Sequence, residues 1–460
     1  VKKLLLFLIF FPLLSIAQNI NGTVVSTNTN LPLENTNVFA LSSKVGTISD
    51  ANGKFSLQLL AKYNSDEILE FSHIGYTTKR ISLSYFIKQN FIVSLEENIE
   101  NLSEVIIAGD HKLQSKLSYT KLTSSKHLIF SFGSILQDDK IYISGGDAYP
   151  EINHLEKARA EKADMDMVKF LSEAQYTSAK RHYKQDLCIY DIKTDTWEIS
   201  KLKLQNRAYH NIHFYKNSIY ILGGKKMFVN KISSWEYLQD KIEVLDLEKQ
   251  TIKIDNTNPH QAADFASFTY KDNIVVMGGS VKATEAGVKE FTDKVHLYNI
   301  SSGYWYELAH MPTAKETTGV LVDDKIYLIG GNNGKPISQI ESFDLVTEKW
   351  QTEGELFSPL ERPAITYHDN IIYFFEDQKM YVYNLKTKQL KEYEIELPMK
   401  YSAMHYYNNK LYILGGRIDN SFSKLPSSKV FSIDINEFEI TKPTRSRNLS
   451  QETTVAKRQD

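Results

Sequence analysis

Eight side chains in this sequence stand where they could meet a single ligand: Arg207, His210, Lys315, Glu316, Glu361, Arg362, Lys400 and Tyr401. The four cations each lie about 13–16 residues ahead of a Gly-Gly pair or its equivalent, with the other four beside them. A ring of cations with interspersed carboxylates and an aromatic suits an anionic or hydroxyl-rich ligand, through charge-assisted hydrogen bonds. The competing reading is solvated rim charges and salt bridges between repeats, and the abundance of Lys and Arg on protein surfaces weighs toward it. A second chemistry is proton transfer, with Glu361 or Glu316 acting against Arg207 or His210 as an acid–base pair. His213 and His405 read more simply as strand residues with a satisfied hydrogen bond. The one cysteine, Cys188, sits in Leu187-Cys-Ile-Tyr190 and reads as a small buried hydrophobe. It permits no intramolecular disulfide.

The elements that must position these residues recur along the chain. An apolar strand runs into Gly145-Gly146, Gly223-Gly224, Gly278-Gly279, Gly330-Gly331 and Gly415-Gly416, and a degenerate copy, Ile372-Tyr-Phe-Phe-Glu376-Asp377, lacks both glycines. The intervals are about 78, 55, 52 and 85 residues, a period near 50 with insertions. Each copy continues to a large apolar residue seven before a Trp or its substitute: Tyr190/Trp197, Leu245/Ile252, Tyr298/Trp305, Phe343/Trp350, Tyr383/Leu390 and Ile433/Ile440. Turn residues between the two members predict a tight hairpin into an outermost strand. Six copies of this two-part pattern resemble the kelch repeat, and the array resembles the propeller of the galactose-oxidase-like superfamily. The resemblance implies a closed ring of six four-stranded blades.

In such a ring the loop after the second strand and the blade-joining loop open on one face. The insertions at about 147–185 and 225–240, and a shorter one at 280–291, would crowd that rim, with a short helix over 151–170. Residues from Leu128 would begin the first blade, and Phe431–Ile440 would finish the sixth. The tail segment Glu452–Ala456 would be either a clasping strand for blade one or a frayed end. The superfamily includes copper oxidases, which need a Cys-crosslinked Tyr, a second Tyr and two His. Cys188, between apolar neighbours in a strand, does not fit that role, so no metal or other cofactor is expected. Sugar mutarotases also occur on kelch propellers and need only an acid–base pair in the channel.

Ahead of the array, from Ile20, short alternating strands separated by turn residues predict a β-sandwich. Gly22-x-Val-Val25, Leu33-x-x-x-Asn37-Val38, Gly46-Thr47-x-x-Asp50-x-x-Gly53-x-Phe55 and Phe71-Ser72-x-x-Gly75-Tyr76 resemble the carboxypeptidase-regulatory-like, transthyretin-like module. Leu102–Gly109 is similar to the segment that joins this module to the plug of outer-membrane nutrient receptors. The resemblance implies a non-catalytic accessory domain of an exported Bacteroidetes protein. No zinc-ligand arrangement such as HExxH accompanies it.

Val1-Lys2-Lys3, an apolar run from Leu4 to Phe11 and small residues at Ser15 and Ala17 predict a signal peptide cleaved after Ala17. No later stretch reaches the ~18 apolar residues of a membrane span. The formal net charge of -2 offers no long-range field for nucleic acid.

The sequence therefore predicts an all-β chain: an N-terminal β-sandwich followed by a six-bladed kelch β-propeller. The expected division is 1–17 signal peptide, 18–108 sandwich, 109–125 linker, 126–443 propeller and 444–460 tail or clasp strand. The expected function is non-enzymatic binding of a protein, peptide or glycan in the periplasm, at the outer membrane or outside the cell. The alternative is a carbohydrate-active kelch enzyme such as a mutarotase.

Overall fold

The structure is a computed structural model. It describes residues 18–59, 66–73, 75–97, 113–154, 156–157, 168, 182–229, 234–283 and 288–449. The expected signal peptide, most of the expected helix over 151–170 and the tail from 452 to 456 lie outside these residues. The chain divides into two compact units, Val1–His111 and Lys112–Asp460.

The first unit is a sandwich of two sheets. In one, Gln18–Ser26 lies between Lys54–Leu59, antiparallel, and Ile92–Leu95, parallel. The other is ordered Val45–Ile48, Asn37–Ala40, Ile68–Ser72, Lys79–Ser82. Alternating apolar residues close the core: Val24, Val38, Leu57, Leu69, Phe71 and Leu95 are all buried. Asp50 organises the predicted turn, its Oδ1 accepting from the N–H groups of Asn52 (2.9 Å) and Lys54 (2.8 Å). Gly53 takes φ +71° there, and a Cβ would collide with the Val24 carbonyl. Two elements were not foreseen, the strand Lys79–Ser82 and the helix Leu83–Lys88. The helix is capped by Ser82 Oγ, which accepts from the Tyr85 N–H, and it buries Phe86 against Phe55 and Phe71.

The second unit is a propeller of six antiparallel blades. Their innermost strands are Gly133–Gln137, Asn211–Tyr215, Ala266–Tyr270, Gly319–Val322, Ala364–His368 and Ala403–Tyr407. No single core holds the ring. Six separate apolar layers lie between neighbouring blades, such as Phe268, Val275 and Met277 of blade three against Ile326, Leu328 and Phe343 of blade four. The expected large pairs face each other across the outer hairpins. Tyr190 lies opposite Trp197, Tyr298 opposite Trp305 and Phe343 opposite Trp350, with ring centroids 4.9, 4.8 and 4.7 Å apart.

The sixth blade departs from the expected pattern. Ile433 is buried, but Glu437–Ile440 is a short helix and Ile440 is exposed. The blade's outermost strand comes instead from Thr120–Leu122, which pairs antiparallel with Val430–Ser432. The segment 109–125, expected as a linker, therefore carries the strand that closes the ring. Closure joins the two ends of the array through one sheet, leaving no open pair of end blades. The chain after the sixth blade returns to blade five, where Arg445–Asn448 adds a fifth strand beyond Gln389–Glu394. Arg445 holds Glu392 through two bonds of 2.9 and 2.6 Å, and Leu449 packs over Gly354. No helix among the described residues is long and apolar enough to cross a membrane.

Candidate functional site

The mouth of the channel is built from a link repeated six times. The second residue after the blade's second strand, or in blade five the first, donates its N–H to the carbonyl four residues before the next innermost strand. The bonds are Gly146 to Arg207 (2.8 Å), Gly224 to Ala262 (2.7 Å), Gly279 to Lys315 (2.7 Å), Gly331 to Leu360 (3.0 Å), Asp377 to Met399 (2.9 Å) and Gly416 to Ile129 (3.0 Å). The last of these closes the circle. In the five blades that carry the glycine pair the backbones crowd: at Gly278, φ is +68° and a Cβ would stand 2.7 Å from the Lys315 oxygen.

Arg207 and Lys315 occupy this linking position, and their side chains turn into their own blades rather than onto the rim. Arg207 meets Glu243 at 2.7 Å and the Gly223 carbonyl at 3.3 Å. Lys315 meets Glu341 at 2.5 Å and the Gly330 carbonyl at 3.1 Å. Both cations are essentially inaccessible, at 1% and 0% exposure. Blade three uses histidines for the same purpose: His260 Nε2 lies 2.8 Å from the Gly278 carbonyl, and its Nδ1 lies 2.9 Å from His296 Nδ1. Since Nε2 must donate to the carbonyl, neutral His260 accepts at Nδ1 from the His296 Nδ1–H. Burial pulls His260 down to about 4 and keeps it neutral. These groups are structural pairs, so the sequence placement of Arg207 and Lys315 at the channel mouth is corrected.

Two residues further along, the six connections do reach the mouth, at Ser131, Tyr209, Asp264, Thr317, Arg362 and Tyr401. Their backbones form most of a collar. Tyr209 donates to the Ser131 carbonyl (2.7 Å), Asp264 to Tyr209 (3.1 Å), Thr317 to Asp264 (3.1 Å) and Ser131 to Tyr401 (3.5 Å). Ser131, Tyr209, Asp264 and Tyr401 all hold φ between 48° and 61°, in the left-handed region that side chains avoid. Four strained non-glycine residues in one ring are the kind of cost that concentrates at working sites.

Side chains on this collar are paired across it. Arg362 Nη1 donates to Asp264 Oδ1, joining blades five and three over the channel. Glu316 takes Lys289 at 2.7 Å, and Glu361 accepts from Asn332 Nδ2 at 2.9 Å. Tyr401 packs against Phe130 and carries the Arg417 guanidinium 4.6 Å from its ring centre. Tyr209 donates to Asp147 at 2.8 Å, under Lys225. Lys400 lies at the rim, 3.7 Å from Asp377. His210 is fully buried behind the collar, with Nε2 2.8 Å from Ser144 Oγ. Burial, reinforced by Arg207 and Arg362, holds it far below the ordinary imidazole value. Of the eight expected residues the structure thus brings Glu316, Glu361, Arg362, Lys400 and Tyr401 to the mouth, and not Arg207, His210 or Lys315.

Beneath the Arg362–Asp264 bar lies a cavity of about 160 Å³. Arg362 and Tyr401 line it, with Ser134, Asn211, Thr318 and His405 below. His405 shares a 3.0 Å hydrogen bond with Ser134 Oγ, and burial pulls it down to about 4. Burial, then the Asp264 charge, raises the Glu316 carboxyl, with Lys289 opposing. Burial pushes the Cys188 thiol up to about 11, so it is not a thiolate nucleophile. Among the described residues, no group of three or more His, Cys, Asp or Glu could hold a metal ion.

Asp264, Arg417 and Tyr209 were missed in the sequence. Asp264 lies as far ahead of Gly278 as Arg362 lies ahead of Glu376, but it is an anion where the repeating signal is a cation. Arg417 directly follows Gly416 and carried no spacing signal of its own.

The rim is uneven. Lys225–Val229 and Ser234–Leu238 form a hairpin above blade two, and Ser280–Ala283 with Lys289–Phe291 another above blade three. Glu151–Ile152 pairs with the rim hairpin of blade six, so the first insertion starts as a strand. Blade five has only the turn Asp377–Gln378, leaving that side of the mouth low.

A six-bladed ring with glycine-linked blades and a separate sandwich defines the architectural class. Residues 20–107 match the CarboxypepD_reg-like domain, and residues 175–376 match the KLHDC2/KLHL20/DRC7 Kelch-repeats domain. The chain thus combines a carboxypeptidase-regulatory-like domain with a kelch-repeat propeller. It is 24% identical to Kelch-like protein 38 of Rattus norvegicus over 254 residues, covering 51% of this chain and 40% of that one. It is 31% identical to Beta-scruin of Limulus polyphemus over 111 residues, 24% of this chain and 11% of the other. It is 28% identical to TonB-dependent receptor P3 of Formosa agariphila over 92 residues, 20% of this chain and 9% of that receptor. The chain therefore spans less than half the length of each of these relatives. A solved structure titled "Structure of YjhT" aligns with TM-score 0.51 at 13% identity, over 66% of this chain and 95% of that one, and shows the fold alone.

Proposed function

We propose that this is a non-enzymatic binding and scaffold protein of the cell envelope, whose propeller mouth receives a protein, peptide or glycan partner. Kelch-repeat proteins are typically protein-binding scaffolds. The similarity to a TonB-dependent receptor and the regulatory-like domain support the envelope setting, as does the apolar leader read in the sequence. The observation that carries the reading is the collar itself: strained residues hold paired charges and an aromatic over a hydroxyl-lined cavity. Because every cation named there already has a carboxylate or aromatic partner, a bare anion gains little. A hydroxyl-rich or amide-rich group can take donors and acceptors together.

The test uses the full chain with a photo-crosslinking residue in place of Lys400, exposed to envelope fractions and to a glycan array. A discrete partner should be captured, and Arg362→Ala should lower its binding at least tenfold. Capture that is indifferent to Arg362→Ala overturns the placement of the site.

One observation favours a second reading, acid–base enzymology: burial and the Asp264 charge raise the Glu316 carboxyl above its ordinary value, which makes it a candidate proton donor at the mouth. It predicts faster anomer exchange of a reducing sugar by NMR, lost in Glu316→Gln or Glu361→Gln. An unchanged exchange rate on adding the protein removes this reading.

A further inference from the structure

We propose that Glu376 is a positioning residue for the mouth: its carboxylate, standing where the other blades carry a glycine, holds the Glu361–Arg362 turn so that Arg362 bars the cavity. In the other five blades the N–H three residues before the innermost strand bonds the residue after the glycine pair, as Glu316 does with the Asn332 carbonyl at 2.9 Å. In blades one to four the next N–H reaches the neighbouring collar carbonyl. Blade five makes neither bond: Asp377–Gln378 closes a two-residue hairpin where a loop would return to meet the Glu361 N–H, and the Arg362 N–H meets no collar carbonyl. Glu376 replaces both at once. Its Oε2 accepts from the Glu361 N–H at 3.0 Å and its Oε1 from the Arg362 N–H at 2.9 Å.

The carboxylate is almost wholly buried, at 7% exposure, so these two donors are its principal compensation. Glu361 faces it unfavourably from the same connection and Lys400 favourably from the next. Lys379, opposite it in the hairpin, directs its amine toward Glu392. The degenerate repeat is therefore a substituted link rather than a decayed one. It releases Arg362 from the backbone collar and leaves its guanidinium free to reach Asp264.

This inference rests on the mouth being the binding site, but it is tested without any partner, so its failure would leave that reading standing. Phenylglyoxal labelling of the full chain, read by peptide mass, reports on Arg362, with buried Arg207 as the internal control for unfolding. Hydrogen exchange of the peptide covering Leu360–Ala364 reports on the two amides. In Glu376→Gln, Arg362 should label at least threefold faster and that peptide exchange at least tenfold faster. Arg207 labelling and peptides carrying Tyr209 or Asp264 should not change. Glu376→Asp, which keeps the charge on a shorter arm, should be intermediate. Unchanged Arg362 labelling in both variants, or a parallel rise at Arg207, overturns the proposal.

Discussion

Blades two and four and blade five solve the same problem with the same residue type set two positions apart. In blades two and four the cation occupies the linking position, and Arg207 and Lys315 turn inward onto Glu243 and Glu341. In blade five that position is Leu360, buried in the layer between blades four and five, and the cation is Arg362, which reaches across the channel. Residues two apart in a connection point to different surroundings, so register rather than residue type separates a structural ion pair from a candidate ligand contact. Arg207 lies in a site that water does not enter, whereas Arg362 remains partly open.

The largest expected effect breaks the inward pair. Arg207→Ala or Lys315→Ala strands a buried carboxylate and should cost about 3–5 kcal/mol in urea unfolding. The double variant Arg207→Met with Glu243→Leu should recover most of that loss, because it removes the unpaired charge along with the pair. A double variant no more stable than Arg207→Ala would mean that the hydrogen bond to the Gly223 carbonyl, not the charge, is what the blade needs.

Next in size is the cap on blade five. Leu449 is largely buried against Gly354, directly after the fifth strand Arg445–Asn448, which among the described residues only blade five carries. Leu449→Ala should cost about 2 kcal/mol, the low end for a buried leucine, since the strand can shift at its free edge. Protease sensitivity after Thr441 should rise in step.

The blades were legible because their markers are local. Glycine pairs mark crowded backbones, and large residues seven apart mark a hairpin whose two strands face each other. Ile433/Ile440 satisfied the spacing and failed, because spacing does not say whether a strand follows. Here Glu437–Ile440 winds as a helix and a strand more than 300 residues earlier takes the place. Thr120–Leu122 is too short to show an alternating pattern, and its partner is remote in sequence. The site was half legible for a related reason. Counting back to a glycine pair locates a connection, but not which of its residues faces the channel. The compensation by Glu376 was invisible, since a missing glycine pair reads as decay until its carboxylate is seen accepting two N–H groups.

Acidity separates the two kinds of buried group by sign. His213, His260 and His405 are held neutral, at about 3, 4 and 4, so unfolding takes up protons between those values and the ordinary 6.5. Stability on their account is full above 6.5 and is lost as pH falls, by up to about 1.4 kcal/mol per pH unit for each. Glu316 and Glu376 are raised, so the folded state holds more protons than the unfolded one just above the ordinary 4.5. Their contribution runs the other way and falls as pH rises. Over pH 4.5–6.5, His405→Gln should therefore flatten the rise of the urea midpoint with pH, and Glu376→Gln should steepen it. A slope that either substitution leaves unchanged would mean that the group removed exchanges its proton with water in the native state much as it does unfolded.

The smallest expected effect on stability sits at the residue with the largest expected effect on binding. Asp264 is buried but Arg362 keeps part of its side chain in water, so this pair is less enclosed than Arg207–Glu243, whose members are 1% and 2% exposed. Arg362→Ala should thus shift the urea midpoint less than Arg207→Ala does, because water can reach the Asp264 side of the mouth once the guanidinium is gone. Arg362→Lys is the sharper variant. It keeps the charge and loses the planar fork, so it should hold stability yet restore little binding if the ligand is read by paired hydrogen bonds. If instead Arg362→Ala proves as destabilising as Arg207→Ala, the two-residue shift has not freed the cation, and the mouth arginine is a seventh clamp of the ring.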